Sequence, residues 1–342
     1  MTETNPMAAN LVGRGDFVYA ANDAWQRVPD GMTMGEAVGV AADSQDRVFV
    51  FTRGEQPVMV FDRDGNFFQS WGTAGGISGD RADDAFVRPH GIWIGPDDSV
   101  YLSDDQDHTV RKFTPDGELL QTLGTSGQAS DSGVENASYL TIKRPALPFN
   151  LPTNLALSPD GEMYVSDGYG NCCIHKFSPE GELLLSWGAP GDGAGEFQIP
   201  HGIAVDHSGI VVVSDRENSR LQWFTSDGEL IEEWTDVARP CNVFFDPQDN
   251  VFVAELGWHA GTPNPKPDET GGRVSIFSRR GELLSRWGGG KNPYAVGDFA
   301  APHDIWVDSH GDIYVGEVTI SAAAARGLVS EDCPSLQKFV RQ

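Results

Sequence analysis

One phrase recurs along this chain, and it leaves few folds open. Its clearest copy is PHGIWIGPDDSVYLSDDQDHTVRKFTPDGELLQTLG, residues 89–124. Others span 37–72, 152–188 and 200–234; a fifth starts at 240 and closes at 271–288, and a sixth starts at 302 and ends in SLQKFV. Each copy holds short apolar segments separated by DG, SG, EG or HG, residues that tolerate the positive φ of tight hairpins. A fixed period of this kind is the mark of a repeat architecture. Four antiparallel strands per copy, in six copies, predict an all-β, six-bladed β-propeller. The sixth copy has three strands, and DFVYAANDAW at 16–25 is expected to supply the fourth. Closing the ring in this way removes open sheet edges. The expected organisation is a tail over 1–15 and a single propeller domain over 16–342. A chain of 342 residues with 40 Gly and 21 Pro suits many strands joined by turns.

Two segments break the period. ELGWHAGTPNPKPDET at 255–270 interrupts the fifth copy, and EVTISAAAARGLVSEDCP at 317–334 interrupts the sixth, with a short helix possible there. Both follow the second strand of their blade, so both are expected on one face, where loops of this length serve as lids or walls. The linkers 73–87 and 125–150 look irregular.

The second residue of each copy, after Ala37 in the first and a proline in the other five, is Val38, His90, Thr153, His201, Cys241 and His303 in turn. Histidine therefore occupies every second blade. The first strand of a blade lines the central channel, and alternate blades of six sit about 120° apart. Three imidazoles then converge on the axis, as in a catalytic zinc site with three protein ligands and an open fourth position. Iron or cobalt would also accept such ligands. The remaining histidines, His108, His175, His207, His259 and His310, show no common register and are expected at the surface or in turns. Asp104, Asp167 and Asp215 recur after the second strand and read as structural. Cys241, Trp93 and Trp306 read as packing residues.

Asp plus Glu number 50 against 24 Lys plus Arg, a formal charge of −26. Such a surface repels phosphates and anionic lipid, which argues against nucleic-acid and membrane partners. MTETNPMAANLVGRGD has no basic start and no apolar core, unlike a signal peptide. No apolar run is long enough for a membrane-spanning helix. The four cysteines form no CxxC pair, which suggests a reduced, cytoplasmic protein without a disulfide framework.

PHG, SDGYGNCCIHKFSPEGELLLSWG, IPHGIAVD, SDRENSRLQWF and PHDIWVDSHGDIYVGE together resemble the peptidyl-α-hydroxyglycine α-amidating lyase family, over about residues 37–316. The resemblance implies a six-bladed NHL-type propeller that cleaves the N–Cα bond of an α-hydroxyglycine, releasing an amide and glyoxylate. It places zinc on His90, His201 and His303. It places a structural calcium on Asp304, with the backbone carbonyls of Val40 and Ile92. It makes Tyr169 the catalytic tyrosine, Arg53 the arginine that holds the substrate carboxylate, and Arg216 a second arginine of the site. Animal members carry two disulfides at positions that here are Asn150 with Gly170 and Val212 with Trp223, and a methionine where this chain has Ala301. The loss of both pairs suits a reducing compartment, and Ala301 opens space beside the metal.

A carbinolamide falls apart when its hydroxyl loses a proton and its nitrogen leaves. A metal bound to that hydroxyl favours the loss. An ordinary phenol, with a pKa of about 10, is a poor base at neutral pH, so Tyr169 needs a cation beside it, and Arg216 is the expected neighbour. Arg53 can grip a carboxylate through two parallel hydrogen bonds. The expected partner is a small molecule carrying a carboxylate. Two other functions compete: a metal-dependent hydrolase or lactonase, and a non-catalytic NHL binding module. Fold alone does not separate them.

Overall fold

The computed structural model describes residues 10–75 and 83–342. Residues 1–9 of the expected tail and 76–82 of the first linker lie outside the described residues. The repeats form six sheets arranged as the blades of a propeller. In blade two the strands are Pro89–Ile94, Val100–Asp104, Thr109–Phe113 and Leu119–Gly124, each antiparallel to the next. Blades one, three, four and five repeat this order, opening with Ala37–Ala42, Pro152–Leu157, Pro200–Val205 and Pro240–Phe245. Blade six opens with Pro302–Val307.

Ring closure follows the expected course. Phe17–Asn22 pairs antiparallel with Leu336–Arg341, Tyr19 facing Arg341 and Asn22 facing Lys338. Within the segment 1–15 expected as a tail, residues 11–14 form a strand. Leu11–Arg14 turns back on Phe17–Asn22 as a fifth strand of blade six. It is held from outside the hairpin: the Arg14 N–H donates to Ser285 Oγ, and its guanidinium donates to the carbonyls of Leu284 and Leu283, on the outer strand of blade five.

Two recurring sequence features have a packing reason. The first is the Trp of the fourth strand. Gly117, at φ +91° in the DG turn of blade two, lies against the Trp71 ring of blade one, where a Cβ would come within 2.8 Å. Gly228 meets Trp187 and Gly281 meets Trp234 in the same way. The turn glycine of one blade thus seats the tryptophan of the blade before it, and no side chain fits between them.

The second is the acidic residue closing the second strand. Asp104 accepts the N–H groups of Val87 and Arg88, at 2.7 and 2.9 Å. Asp167 accepts that of Asn150, Asp215 that of Gln198, and Glu317 those of Ala300 and Ala301. In each case the donor belongs to the segment entering the same blade. These backbone donors are buried or partly buried and would otherwise be costly to leave unpaired, so the structural reading of Asp104, Asp167 and Asp215 holds. His175 is the exception among the histidines expected at the surface or in turns. It is fully buried in Cys173–Phe177 and lies between Ser186 Oγ at 2.7 Å and Asp167 Oδ2 at 3.3 Å. It completes the buried hydrogen bonding of Asp167, a role that Arg220 fills for Asp215.

Trp93, Phe244 and Trp306 sit three positions along their strands from the channel register. Trp306 lies 5.2 Å from Trp93 and 4.7 Å from Phe244 between ring centroids. Three residues of strand span about 10 Å, so these rings cap the channel at the end away from the histidines. Among the described residues no helix is long and apolar enough to cross a membrane.

Replacing Asp215 by Ala should leave the Gln198 N–H and the Arg220 guanidinium without their shared acceptor. The expected cost is about 3 kcal/mol, seen as a fall in thermal midpoint. An unchanged midpoint would show that the carboxylate network is dispensable.

Candidate metal centre

The inner strands deliver one residue per blade to one level of the channel. His90, His201 and His303 meet there, all buried. Their ring centroids are 4.7–4.8 Å apart, and one potential ligand atom from each lies within 4.8 Å of the others. The intervening blades hold them. Nδ1 of His90 lies 2.7 Å from the Thr153 carbonyl, Nδ1 of His201 2.8 Å from that of Cys241, and Nδ1 of His303 2.6 Å from that of Val38. A carbonyl only accepts, so each Nδ1 carries the proton and donates it. Each Nε2 is left with its lone pair.

Charge state agrees with this tautomer. Burial pushes His90 and His201 well below the ordinary imidazole range, helped by His303 at both and by Arg216 at His201. Burial, with Arg53 second, pushes His303 down to about 3. Three neutral imidazoles with fixed Nδ1 protons and converging Nε2 atoms are a fitting donor set for zinc or a similar divalent ion.

Tyr169 faces the same point. Its hydroxyl lies 3.0 Å from Nε2 of His201 and 3.3 Å from Nε2 of His90. Arg216, itself buried, donates from Nη1 to the Tyr169 oxygen at 3.0 Å and from Nε to Glu217 at 2.9 Å. Burial opposes the Arg216 charge, yet Tyr169 and Glu217 outweigh it and hold its pKa above the ordinary value. Arg53 lines the same cleft, its Nη1 bound to Glu36 at 2.7 Å and its Nε to the Pro89 carbonyl at 3.1 Å. Arg53, Tyr169, Arg216 and His303 line a cavity of about 180 Å³, walled on the other side by Leu256, Val318 and Ala322.

The residues expected at a calcium lie one position (Asp304) or two positions (Val40, Ile92) further along the strands. The Val40 N–H donates to Asp304 Oδ2 at 2.8 Å, and Ile305 N–H donates to Oδ1 at 2.9 Å. The Asn242 amide also donates to Oδ1, while the Asn242 carbonyl oxygen is buried without a partner. Ile92 packs its side chain toward Gly39 on the neighbouring strand. Burial raises Asp304 to about 7, as expected of a carboxylate that lacks a countercharge. Hard oxygen donors in that condition suit a hard cation.

Sequence reasoning missed Glu36, Glu217 and Arg239, which anchor the site arginines. It also missed Arg88, which lies over the Tyr169 ring at 5.7 Å and pairs with buried Asp105 at 2.8 Å. The carbonyl acceptors had a visible signal: Val38, Thr153 and Cys241 share the histidine register on the other three blades.

Residues 197–224 match the NHL repeat model. NHL repeat-containing protein 3 of Mus musculus is 31% identical over 89% of this chain and 82% of its own length. This chain belongs to the NHL-repeat propeller family. Peptidyl-alpha-hydroxyglycine alpha-amidating lyase 1 of Drosophila melanogaster is 28% identical over 92% of this chain, which spans 61% of that protein's length. The resemblance to amidating lyases read from the sequence is thus matched by a relative that carries that name. Among solved structures, a gluconolactonase from Xanthomonas campestris superposes with a TM-score of 0.58 at 13% identity, covering 91% of this chain and 87% of that one. At that identity the likeness is one of fold. The two residue pairs that the resemblance implies as disulfide positions in animal lyases are each adjacent in space here: the Gly170 N–H donates to the Asn150 carbonyl, and Val212 faces Trp223 across a strand pair. All four cysteines are free and buried.

The folded pKa of His303 is depressed below its unfolded value of about 6.5. Its contribution to stability is therefore complete above pH 6.5 and is lost as pH falls toward 3. The metal-free protein should lose thermal stability across that window, and His303→Gln should flatten the loss. Identical pH profiles would contradict a neutral, buried His303.

Proposed function

We propose that this protein is a zinc-dependent lyase. Its substrate would be an α-hydroxyglycine-type carbinolamide, peptidyl or N-acyl, which it would cleave to an amide and glyoxylate. The observation that carries this reading is the meeting of three neutral imidazole Nε2 atoms with the Tyr169–Arg216 pair at one end of a closed channel. A non-catalytic module has no need of that convergence.

His90, His201 and His303 would hold the zinc, which when bound supplies a Lewis acid for the substrate hydroxyl. Arg53 is held at Nη1 and Nε, so its outer nitrogen is turned to the substrate carboxylate, fixing the scissile bond beside Tyr169. As the base, the Tyr169 oxygen would enter the step as the phenolate, its charge paired by Arg216, and would become neutral on taking the hydroxyl proton. As the C–O bond becomes a carbonyl, the C–N bond breaks with its electrons going to nitrogen. The proton on Tyr169 then passes to that nitrogen, and the amide and glyoxylate are balanced. Asp304, with the carbonyls of Val40 and Ile92, would hold a calcium that neutralises the buried carboxylate and stiffens the inner strands. Buried free cysteines and the missing disulfide positions support a cytoplasmic setting.

The test is zinc-loaded protein incubated with α-hydroxyhippurate, with glyoxylate and benzamide measured together. Equal release of both is expected, with esters and lactones left intact. Lactone turnover without glyoxylate would favour a hydrolase instead. His201→Ala should lose both zinc and activity while keeping its strand content. Tyr169→Phe should keep zinc and lose about 100-fold or more in kcat. A chelator should abolish turnover, and zinc should restore it. A Tyr169→Phe variant with full activity would remove the tyrosine from the chemistry.

A further inference from the structure

The two insertions that interrupt the repeat are bonded to the two arginines of the cleft, by separate buried groups. On the blade-five side the link is Arg239, which is fully buried at φ +51° just before Pro240. Its Nη1 donates to the carbonyls of Gly257 and Ala260, at 3.0 and 2.9 Å, and its Nη2 to that of Gly261 at 2.8 Å. The same guanidinium reaches Glu217, from Nη2 at 2.7 Å and from Nε at 3.3 Å. Glu217 in turn accepts from Arg216 Nε, and Arg216 donates to Tyr169. One unbroken line of charge-assisted hydrogen bonds therefore runs from 257–261 to the Tyr169 oxygen.

On the blade-six side the link is Glu36, also buried. One of its oxygens accepts the N–H groups of Ile320 and Ser321, at 2.9 and 2.8 Å, and the other accepts Arg53 Nη1 at 2.7 Å. Ser321 Oγ adds a second contact to Arg53 at 3.1 Å. The two insertions meet where the Gly261 N–H donates to the Ala322 carbonyl at 3.1 Å. They also supply Gly261 and Ala322 to the cleft lining.

We infer that the 255–270 and 317–334 insertions form one coupled wall whose function is to set the two site arginines, with Arg239, Glu217 and Glu36 as positioning residues. Arg239 and Glu217 orient Arg216 against Tyr169, while Glu36 orients Arg53 toward the substrate carboxylate. The assignment of those two arginines rests on the lyase reading; the coupling of wall to arginine does not.

The arrangement predicts a split between variants. Glu36→Gln keeps the side-chain shape but gives up the carboxylate that holds Arg53, so KM for α-hydroxyhippurate should rise about 10-fold with kcat nearly kept. Arg239→Lys keeps one charge but cannot span three carbonyls and Glu217 together, so kcat should fall about 10–100-fold with KM nearly kept. Zinc content should be unchanged in both. Hydrogen–deuterium exchange supplies a readout that needs no substrate. Arg239→Lys should raise exchange in 255–270 and also in the segment around Arg216, with the other blades unaffected. If the wild type proves inactive, the lyase reading fails and the exchange result alone decides the coupling. Faster exchange confined to 255–270, or a loss of kcat in Glu36→Gln equal to that in Arg239→Lys, would overturn the proposal.

Discussion

The hydrogen bond from each channel histidine to the carbonyl of the next blade is the contact on which the site depends. It does three things at once. It places the proton on Nδ1, it fixes the ring plane, and it ties even blades to odd ones at the narrowest part of the fold. The pattern needs donor and acceptor blades to alternate, so it closes only in a ring with an even number of blades. Six blades give three donors and three acceptors, and three donors are the count that would leave one position open on a tetrahedral metal ion. Thr153, Cys241 and Val38 serve through their backbones, which explains why three unlike side chains occupy equivalent places.

Electrostatics then separates the cleft from the rest of the molecule. The chain as a whole is strongly acidic, yet Arg53, Arg88, Arg216 and Arg326 all line the cleft. Three of these carry a carboxylate partner, Glu36, Asp105 and Glu217 respectively. The partners are buried or nearly so, which strengthens each pair and limits the orientations of its guanidinium. A cleft of this kind draws in a small anion while the surrounding surface repels extended polyanions. The opposite end of the channel is stopped by Trp93, Phe244 and Trp306, so a ligand reaches the histidines from the side bearing the insertions.

Much of this was legible in the sequence because it is periodic. A repeat fixes strand count, ring size and register together, and the register singled out His90, His201 and His303 before any coordinates. What the period does not touch stayed hidden. Leu11–Arg14 is too short to read as a strand, and its anchors lie on blade five, far along the chain. His175 shares its register with no other histidine; its counterparts on the third strands of blades two, four, five and six are Arg111, Gln222, Ser275 and Gln337, unlike residues that reach the same acidic position. Glu36 and Arg239 belong to entry segments outside the repeated phrase, and their partners are insertion backbone. Glu217 was in view, next to Arg216 in DREN, but its importance comes from Arg239, which arrives from the following blade.

The strand-end tyrosine raises a last question of rigidity. The resemblance to amidating lyases implies a disulfide beside the tyrosine in animal members, at positions held here by Asn150 and Gly170. The structure replaces the covalent tie with several polar ones. The Gly170 N–H bonds the Asn150 carbonyl, Ser132 Oγ donates to the Gly170 carbonyl, and the Asn150 amide donates to the carbonyl of Ser130 at 2.8 Å. The irregular 125–150 linker supplies Ser130, Ser132 and Asn150 itself, so its length is used to brace the loop. At Gly170 a Cβ would collide with Asn150 Oδ1, so the glycine is what allows the two chains to approach closely enough for these bonds. A hydrogen-bonded brace constrains only the folded state, whereas a disulfide also restricts the unfolded chain. The positioning of Tyr169 therefore depends on the surrounding network remaining dry and complete, the same condition that keeps the three imidazoles neutral.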